Sequence, residues 1–154
     1  MRTLYPIWVS LFSMALAQVL KPFLYYLYYK KWKWSLLFDS GGLPSSHSSM
    51  VSALVLSVGL LENFSSTIFA VTVVFAFITM YDAANVRYYA GQNIQVTRKL
   101  IRDLKSADFV EEDFEDPIYD MPIKEILGHK WFEVFTGAGL GLLIAGISYF
   151  VFKL

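Results

Sequence analysis

The segment 131–152 reads WFEVFTGAGLGLLIAGISYFVF and carries one charged residue, Glu133. A membrane-spanning α-helix needs ~20 predominantly apolar residues, so this segment is long enough to cross a bilayer. Two other apolar runs have a similar length, and a third is shorter but is extended by flanking serines. The sequence therefore predicts one all-α membrane domain, 1–154, a polytopic bundle with about four spanning helices near 4–20, 48–63, 67–86 and 130–152.

The composition indicates the same class of protein. Hydrophobic side chains make up 56% and aromatic side chains 18% of the 154 residues, more than a soluble domain normally carries. The formal net charge is zero, which argues against a broadly basic surface, and we expect no nucleic-acid partner. The chain has no cysteine, which excludes a disulfide framework, a thiolate metal site and a cysteine nucleophile. We expect a multi-pass protein of a cell membrane.

Two segments between the predicted spans are polar or aromatic. In 23–38, lysines alternate with tyrosines and tryptophans, the residues that gather at the level of the lipid headgroups. We interpret this segment as an interfacial helix; the alternative is a fifth span whose lysines reach out to water. The one sizeable polar loop is 87–129, and the apolar spacing at its start predicts a helix that emerges from the membrane.

The acidic run EEDFED, 111–116, lies in the second part of this loop. Clustered carboxylates can hold magnesium or calcium, but the spacing of this run matches no standard metal loop. We expect a solvated loop, no metal site and no cofactor, with magnesium as the weaker alternative.

Both histidines of the chain precede an apolar helix. His47 lies in GGLPSSHSS, 41–49, and His129 opens the last predicted span, with Glu133 one helical turn later. Because the spans alternate in direction, the predicted topology brings both histidines to one membrane face.

Three charged residues are expected at the same face. Lys21 ends the first predicted span, and Asp82 and Arg87 emerge at the end of the third. This convergence requires that the chain does not cross the membrane between Lys21 and His47, and a fifth span through 23–38 would separate the two. The pattern predicts a shared site at one membrane surface, suited to a lipid headgroup.

Three stretches resemble the divergent bacterial branch of the type-2 phosphatidic acid phosphatase superfamily, relatives of lipid phosphatases and vanadium haloperoxidases. They are GGLPSSHSS (41–49), YDAANVRYYAG (81–91) and GHKWFEVFTGAGLG (128–141). The resemblance covers most of the chain. It departs from the superfamily pattern in four ways. Lys21-Pro22 resembles only the tail of the first motif, with lysine where arginine is usual. Serine replaces glycine at Ser46, glutamate replaces aspartate at Glu133, and no arginine shortly precedes His129.

The resemblance implies a catalytic role for three residues. His129 would be the nucleophile, Glu133 its acidic partner, and His47 the general acid. A phosphate group would be bound by positive charge and by the backbone at the start of a helix. The residues expected to bind it are Lys21, Ser45, Ser46 and Arg87, with Asp82 holding Arg87 in place.

Two classes of function follow from these residues. The first is an integral membrane phosphatase that hydrolyses a phosphomonoester or pyrophosphate of a phosphatidate-like or polyprenyl lipid through a phosphohistidine. The second is a non-catalytic lipid-phosphate binder, carrier or scaffold with a degenerate phosphatase site. The partner expected in either case is a membrane lipid. A homo-oligomer is also possible, because small residues on the last span form a stripe on which another helix can pack: Gly137, Gly141 and Ala145.

The distribution of basic residues predicts which face carries the site. Cytoplasmic loops are enriched in lysine and arginine, and most basic residues lie on the face of the two histidines. We therefore expect a cytoplasmic site. The basic residues on that face are Lys30, Lys31, Lys33, Arg87, Arg98, Lys99, Arg102 and Lys105, whereas Arg2 and Lys153 lie on the other.

Overall fold

The computed structural model describes residues 2–39, 41–106 and 128–152, and within these ranges the chain is helical with no β-strand. The long helices are α1 (Tyr5–Tyr29), α2 (Ser46–Glu62), α3 (Thr67–Tyr81), α4 (Arg87–Ser106) and α5 (Trp131–Phe152). Two short 3-10 helices cover Arg2–Leu4 and Trp34–Leu37, and a π-helical turn, Asp82–Val86, joins α3 to α4 without a break. The predicted all-α membrane bundle is confirmed.

Three helices of the described chain are long and apolar enough to cross a membrane: α1, the continuous α3–α4 helix and α5. Helix α2 is shorter, at 17 residues, and it occupies the centre of the bundle, where it packs against α1, α3 and α5. Its serines are buried, and one of them bonds to a neighbouring helix. The hydroxyl groups of Ser13 and Ser49, for example, lie 2.6 Å apart and join α1 to α2. Small polar side chains of this kind let membrane helices approach closely.

Helices α2 and α5 approach each other closely. A methyl group on Gly137 would overlap the carbonyl of Ser45, and one on Gly141 would overlap the carbonyl of Ser49. One turn further, the hydroxyl of Tyr5 donates to the carbonyl of Ala145 at 3.0 Å. The small-residue stripe therefore packs inside the chain, and a homo-oligomer would have to use another surface.

The first span is longer than the sequence predicts. We expected it to end at Lys21, but α1 continues through Lys21 and Pro22 as far as Tyr29, because the residues after the proline remain apolar and aromatic. It ends at Lys30, whose left-handed backbone (φ 56°) lets its N–H bond to the carbonyl of Tyr26 at 2.8 Å.

The predicted interfacial helix 23–38 is consequently wrong as a single element, and no fifth span forms in the described part of this segment. Its first residues belong to α1, and only Trp34–Leu37 forms a separate short helix. Aromatic stacking connects the two parts, because the ring of Trp32 lies 4.5 Å from that of Tyr26 and 5.1 Å from that of Trp34.

The expected helix at the start of the polar loop 87–129 is α4, which continues α3 out of the apolar region. The acidic run 111–116 lies outside the described residues.

Candidate functional site

The side chains of His129 and Glu133 form a hydrogen-bonded pair at the start of α5. Their Nδ1 and Oε2 atoms lie 3.0 Å apart, and the His129 side chain is only 2% exposed. An ionised carboxylate can only accept hydrogen bonds, so it fixes the ring proton on Nδ1 and leaves the lone pair on Nε2. Nε2 is buried and has no hydrogen-bond partner among the described residues. Such an atom is free to act as a base or a nucleophile.

Glu133 also caps the helix that carries it. Its Oε2 accepts the backbone N–H of Lys130 at 3.2 Å, an arrangement that satisfies an otherwise unpaired donor at a helix start. Because one carboxylate oxygen binds both the helix start and the His129 ring, the ring position is tied to the helix.

The turn before α5 docks on the π-helical turn. Gly128 has a left-handed backbone (φ +79°), and a methyl group there would overlap the backbone of Arg87 and Tyr88. The next N–H, that of His129, donates to the carbonyl of Ala83 at 2.9 Å. This contact places His129 beside the helix that carries Arg87.

Arg87 and Asp82 lie at the two ends of the π-helical turn and form an ion pair. The Arg87 Nε lies 2.6 Å from the Asp82 Oδ2, with the two side chains 46% and 33% exposed. A partly exposed pair of this kind contributes little to stability. Its effect is to orient the guanidinium, as the sequence predicts for Asp82.

The loop before His47 is attached to α5 by its backbone. Ser45 is fully buried; its N–H donates to the carbonyl of Glu133 at 3.0 Å, and its side chain accepts the N–H of Ser48 as the N-cap of α2. Ser46 is also buried, and His47 is half-buried. The motif of one histidine is thus joined to the helix of the other.

His47 interacts electrostatically with the other members of the predicted site, namely Arg87, His129, Lys21 and Asp82. The structure therefore brings together all eight residues singled out from the sequence, at one end of the bundle.

Lys21 is the most deeply buried charged residue of the described chain, at 1% exposure. Its Nζ donates to the backbone carbonyl of Asp39 at 3.1 Å, and it interacts electrostatically with Glu133 and Asp39. An ionisable side chain inside a membrane helix is expensive to bury, which favours a functional role.

Two residues of this region were missed by sequence reasoning. Gln18, one turn before Lys21, donates to the carbonyl of Leu37 at 2.7 Å and so holds the same segment as Lys21. Asp39 accepts the hydrogen bond of Lys21 through its backbone carbonyl, and no sequence signal marks a backbone oxygen.

A cavity of about 650 Å³ adjoins the site between α1, the loop before α2 and the start of α5. Lys21 and Glu133 line it, and Lys33 and Lys130 are also part of its wall. The rest of the wall is largely apolar and aromatic. Within the residues that the structure describes, no group of three or more histidine and carboxylate side chains is arranged to hold a metal ion.

The helices and the site together define a polytopic helical membrane protein with two histidines and a buried lysine gathered at one end. The chain belongs to the Divergent PAP2 family, whose sequence model matches residues 3–144. It is 37% identical over 153 residues to the uncharacterized membrane protein YuiD of Bacillus subtilis (strain 168), an alignment that covers 97% of each chain. No solved structure matches the fold.

Proposed function

We propose that this protein is an integral membrane phosphatase that hydrolyses lipid phosphates through a phosphohistidine on His129. The main support is the state of the His129 ring. The carboxylate of Glu133 is hydrogen-bonded to Nδ1, and the buried Nε2 has no partner among the described residues. A ring held in this way presents its lone pair from a fixed position, as attack on phosphorus requires.

The first step forms the covalent intermediate. The Nε2 lone pair attacks phosphorus, and the bond between phosphorus and the lipid oxygen breaks. The ring then carries positive charge, which the Glu133 carboxylate stabilises through Nδ1–H. His47 gives a proton to the departing oxygen, because an alkoxide is a poor leaving group.

The second step regenerates the enzyme. His47, now neutral, takes a proton from water as the water oxygen attacks phosphorus. The bond between phosphorus and Nε2 breaks and returns the electron pair to His129. The products are inorganic phosphate and the lipid alcohol, or a lipid monophosphate when the substrate is a pyrophosphate.

The phosphate oxygens would be bound by Lys21, Arg87 and the start of α2. Because the N–H of Ser45 is already bonded to Glu133, the donors left for an anion are the N–H groups of Ser46 and His47. No acceptor in the described chain is bonded to either. A helix start of this kind favours anions through its dipole and its unpaired N–H groups.

The reaction uses only these side chains and no metal ion. The site would face the cytoplasm, as the excess of basic residues at this end favours. Labelling of a Ser106→Cys variant in intact cells tests the orientation, since reaction with an impermeant reagent from outside would contradict it.

The activity is tested by phosphate release from a panel of lipid phosphates by the detergent-purified protein, with and without EDTA. We expect release that survives chelation, is lost in His129→Ala and is retained in Lys31→Gln, a change at an exposed position outside the site. Equal release by wild type and His129→Ala would contradict the mechanism.

The second candidate function is a lipid-phosphate binder or carrier without turnover. Two facts about the arginines favour this function. The Nε of Arg87 is already bound by Asp82, and no arginine closely precedes His129, where the superfamily pattern has one. Lipid-phosphate binding without phosphate release, under conditions where the protein is folded, would favour this function.

A further inference from the structure

We propose that Gln18 is a positioning residue of the site: it fixes the backbone carbonyl of Asp39, and through that carbonyl it orients the ammonium group of Lys21. This inference rests on the proposed function for the role of Lys21 in binding phosphate. Because binding is measurable without turnover, the two proposals can fail separately.

Gln18 and Lys21 lie on the same side of α1. They are three residues apart, a spacing that makes two side chains neighbours on a helix surface. Both bond to the segment that follows α1. The Nε2 of Gln18 lies 2.7 Å from the carbonyl oxygen of Leu37, 3.3 Å from that of Leu36 and 3.2 Å from that of Asp39. The Nζ of Lys21 lies 3.1 Å from the same oxygen of Asp39, so the two side chains share one acceptor.

The acceptors of Gln18 lie at the end of a short helix. The 3-10 helix Trp34–Leu37 ends there, and the last carbonyls of a helix have no partner within that helix. An amide nitrogen carries two hydrogens, which the three oxygens share. Gln18 thus caps this helix from α1 and orders the chain as far as Asp39.

The ordered segment also encloses the stem of Lys21. Leu36 is buried, and Gly42 lies against it and against Lys21: the position that a Cβ of Gly42 would take is 3.8 Å from Leu36 Cδ2 and 3.9 Å from Lys21 Cδ. From Gly42 the chain leads to Ser45 and the start of α2. The segment that Gln18 holds is therefore adjacent to two of the groups that bind phosphate in the proposed function.

A lysine needs such a fixed partner to present its charge in one direction. Its ammonium group has three donors on a flexible four-carbon stem. The carbonyl of Asp39 takes one donor, which leaves two for the oxygens of a phosphate. Lys21 also interacts electrostatically with Glu133, the carboxylate bonded to His129. If the carbonyl of Asp39 is free to move, the ammonium can turn towards that carboxylate and away from phosphate.

The experiment measures dissociation constants for inorganic phosphate on four forms of the detergent-purified protein: wild type, Gln18→Met, Lys21→Met and the double variant. Methionine has nearly the length of glutamine but no donor. In Gln18→Met the dissociation constant should rise about tenfold, the scale of one hydrogen bond to a charged group, and in Lys21→Met it should rise further. The matched control is Gln92→Met, the same change at an exposed position of α4.

The double variant separates positioning from general support of the fold. Because Gln18 acts through Lys21, the double variant should bind phosphate as Lys21→Met does, within about twofold. Losses that multiply in the double variant would overturn the inference, since a purely structural effect of Gln18 does not depend on Lys21. Equal binding by Gln18→Met and wild type would overturn it too, as would wild type that binds no phosphate.

A kinetic readout adds to the binding data. With dioleoyl phosphatidate, Gln18→Met should raise KM about tenfold and leave kcat within about twofold, because the contact of Lys21 with phosphate is made before and during the reaction. A fall in kcat at unchanged KM would contradict the proposed role. If the dependence on Lys21 is found in binding while wild type releases no phosphate, the inference holds and the proposed function fails. Should the thermal midpoint show that Gln18→Met is unfolded, Gln18→Asn takes its place, since it keeps the amide on a stem one methylene shorter.

Discussion

The backbone N–H of Ser45 donates a hydrogen bond of 3.0 Å to the carbonyl of Glu133, so the loop of one histidine is fastened to the helix of the other. Gly137, one turn after Glu133, packs directly on the backbone of Ser45. The separation between His47 and His129 is thus set by main-chain contacts, which are stiffer than contacts between long side chains. A catalytic pair that acts on the two sides of one phosphorus needs such a fixed spacing.

Replacing Glu133 by Gln should lower kcat for phosphate release by about 10²-fold, because the amide cannot stabilise the charge that develops on the His129 ring. The fold should be retained, since the amide oxygen can still accept the N–H of Lys130. The control is Glu62→Gln, the same chemical change at an exposed position at the other end of α2. Equal kcat for Glu133→Gln and wild type would remove Glu133 from the mechanism.

Replacing His47 by Ala should lower the rate by about 10²-fold for alkyl phosphates and much less for a nitrophenyl phosphate. An alkoxide needs a proton to leave, whereas a nitrophenolate leaves without one. The measurement is the slope of log kcat/KM against the acidity of the leaving alcohol, which should steepen in the variant. An identical loss on every substrate would indicate that His47 does not protonate the leaving group.

A change of Gly128 to Ala should reduce both activity and stability. The left-handed backbone and the overlap with Arg87 and Tyr88 would force the turn away from the π-helical turn, at about 1 kcal/mol or more. Because His129 follows directly, kcat should fall more than KM changes. The two readouts are the kinetic split and the unfolding midpoint. Wild-type kcat in this variant would show that the turn does not position the ring.

Replacing Gly141 by Ala should destabilise the fold by about 1–3 kcal/mol, because the new methyl overlaps the carbonyl of Ser49 on α2. The control is Gly139→Ala on the same helix, where a methyl meets no atom within 4 Å. That change should be neutral or slightly stabilising, since alanine favours a helix more than glycine does. The measurement is the thermal unfolding midpoint of both variants in one detergent, and equal midpoints would contradict the packing described for α2 and α5.

The helices could be predicted from the sequence because apolar length reports membrane crossing directly. The error at Lys21 and Pro22 has a physical reason: a lysine followed by a proline is typical of a helix end. Here the lysine side chain donates to the backbone carbonyl of Asp39, and the helix continues. A bond between a side chain and a distant backbone oxygen leaves no periodic pattern in a sequence.

The sequence was enough to predict which residues form the site, since the alternation of spans brings their helix ends to one face. Its internal geometry could not. The contacts of His129 with Ala83 and of Gly128 with Tyr88 depend on the π-helical turn, and the short stretch DAANV carries no signal for it. Lys33 and Lys130 are far apart in sequence, and only the folded chain places both in the wall of one cavity.

The continuous helix from α3 into α4 has a mechanical consequence. The apolar and emerging parts together cover 38 residues, Thr67–Leu104. At 1.5 Å per residue this rod is roughly 57 Å long. The apolar core of a bilayer is only ~30 Å thick, so the far end of the helix extends beyond this core. The π-helical turn lies directly before Arg87 and accepts the N–H of His129 through the carbonyl of Ala83, so we expect a sideways force on the far end of the helix to shift the ring of His129.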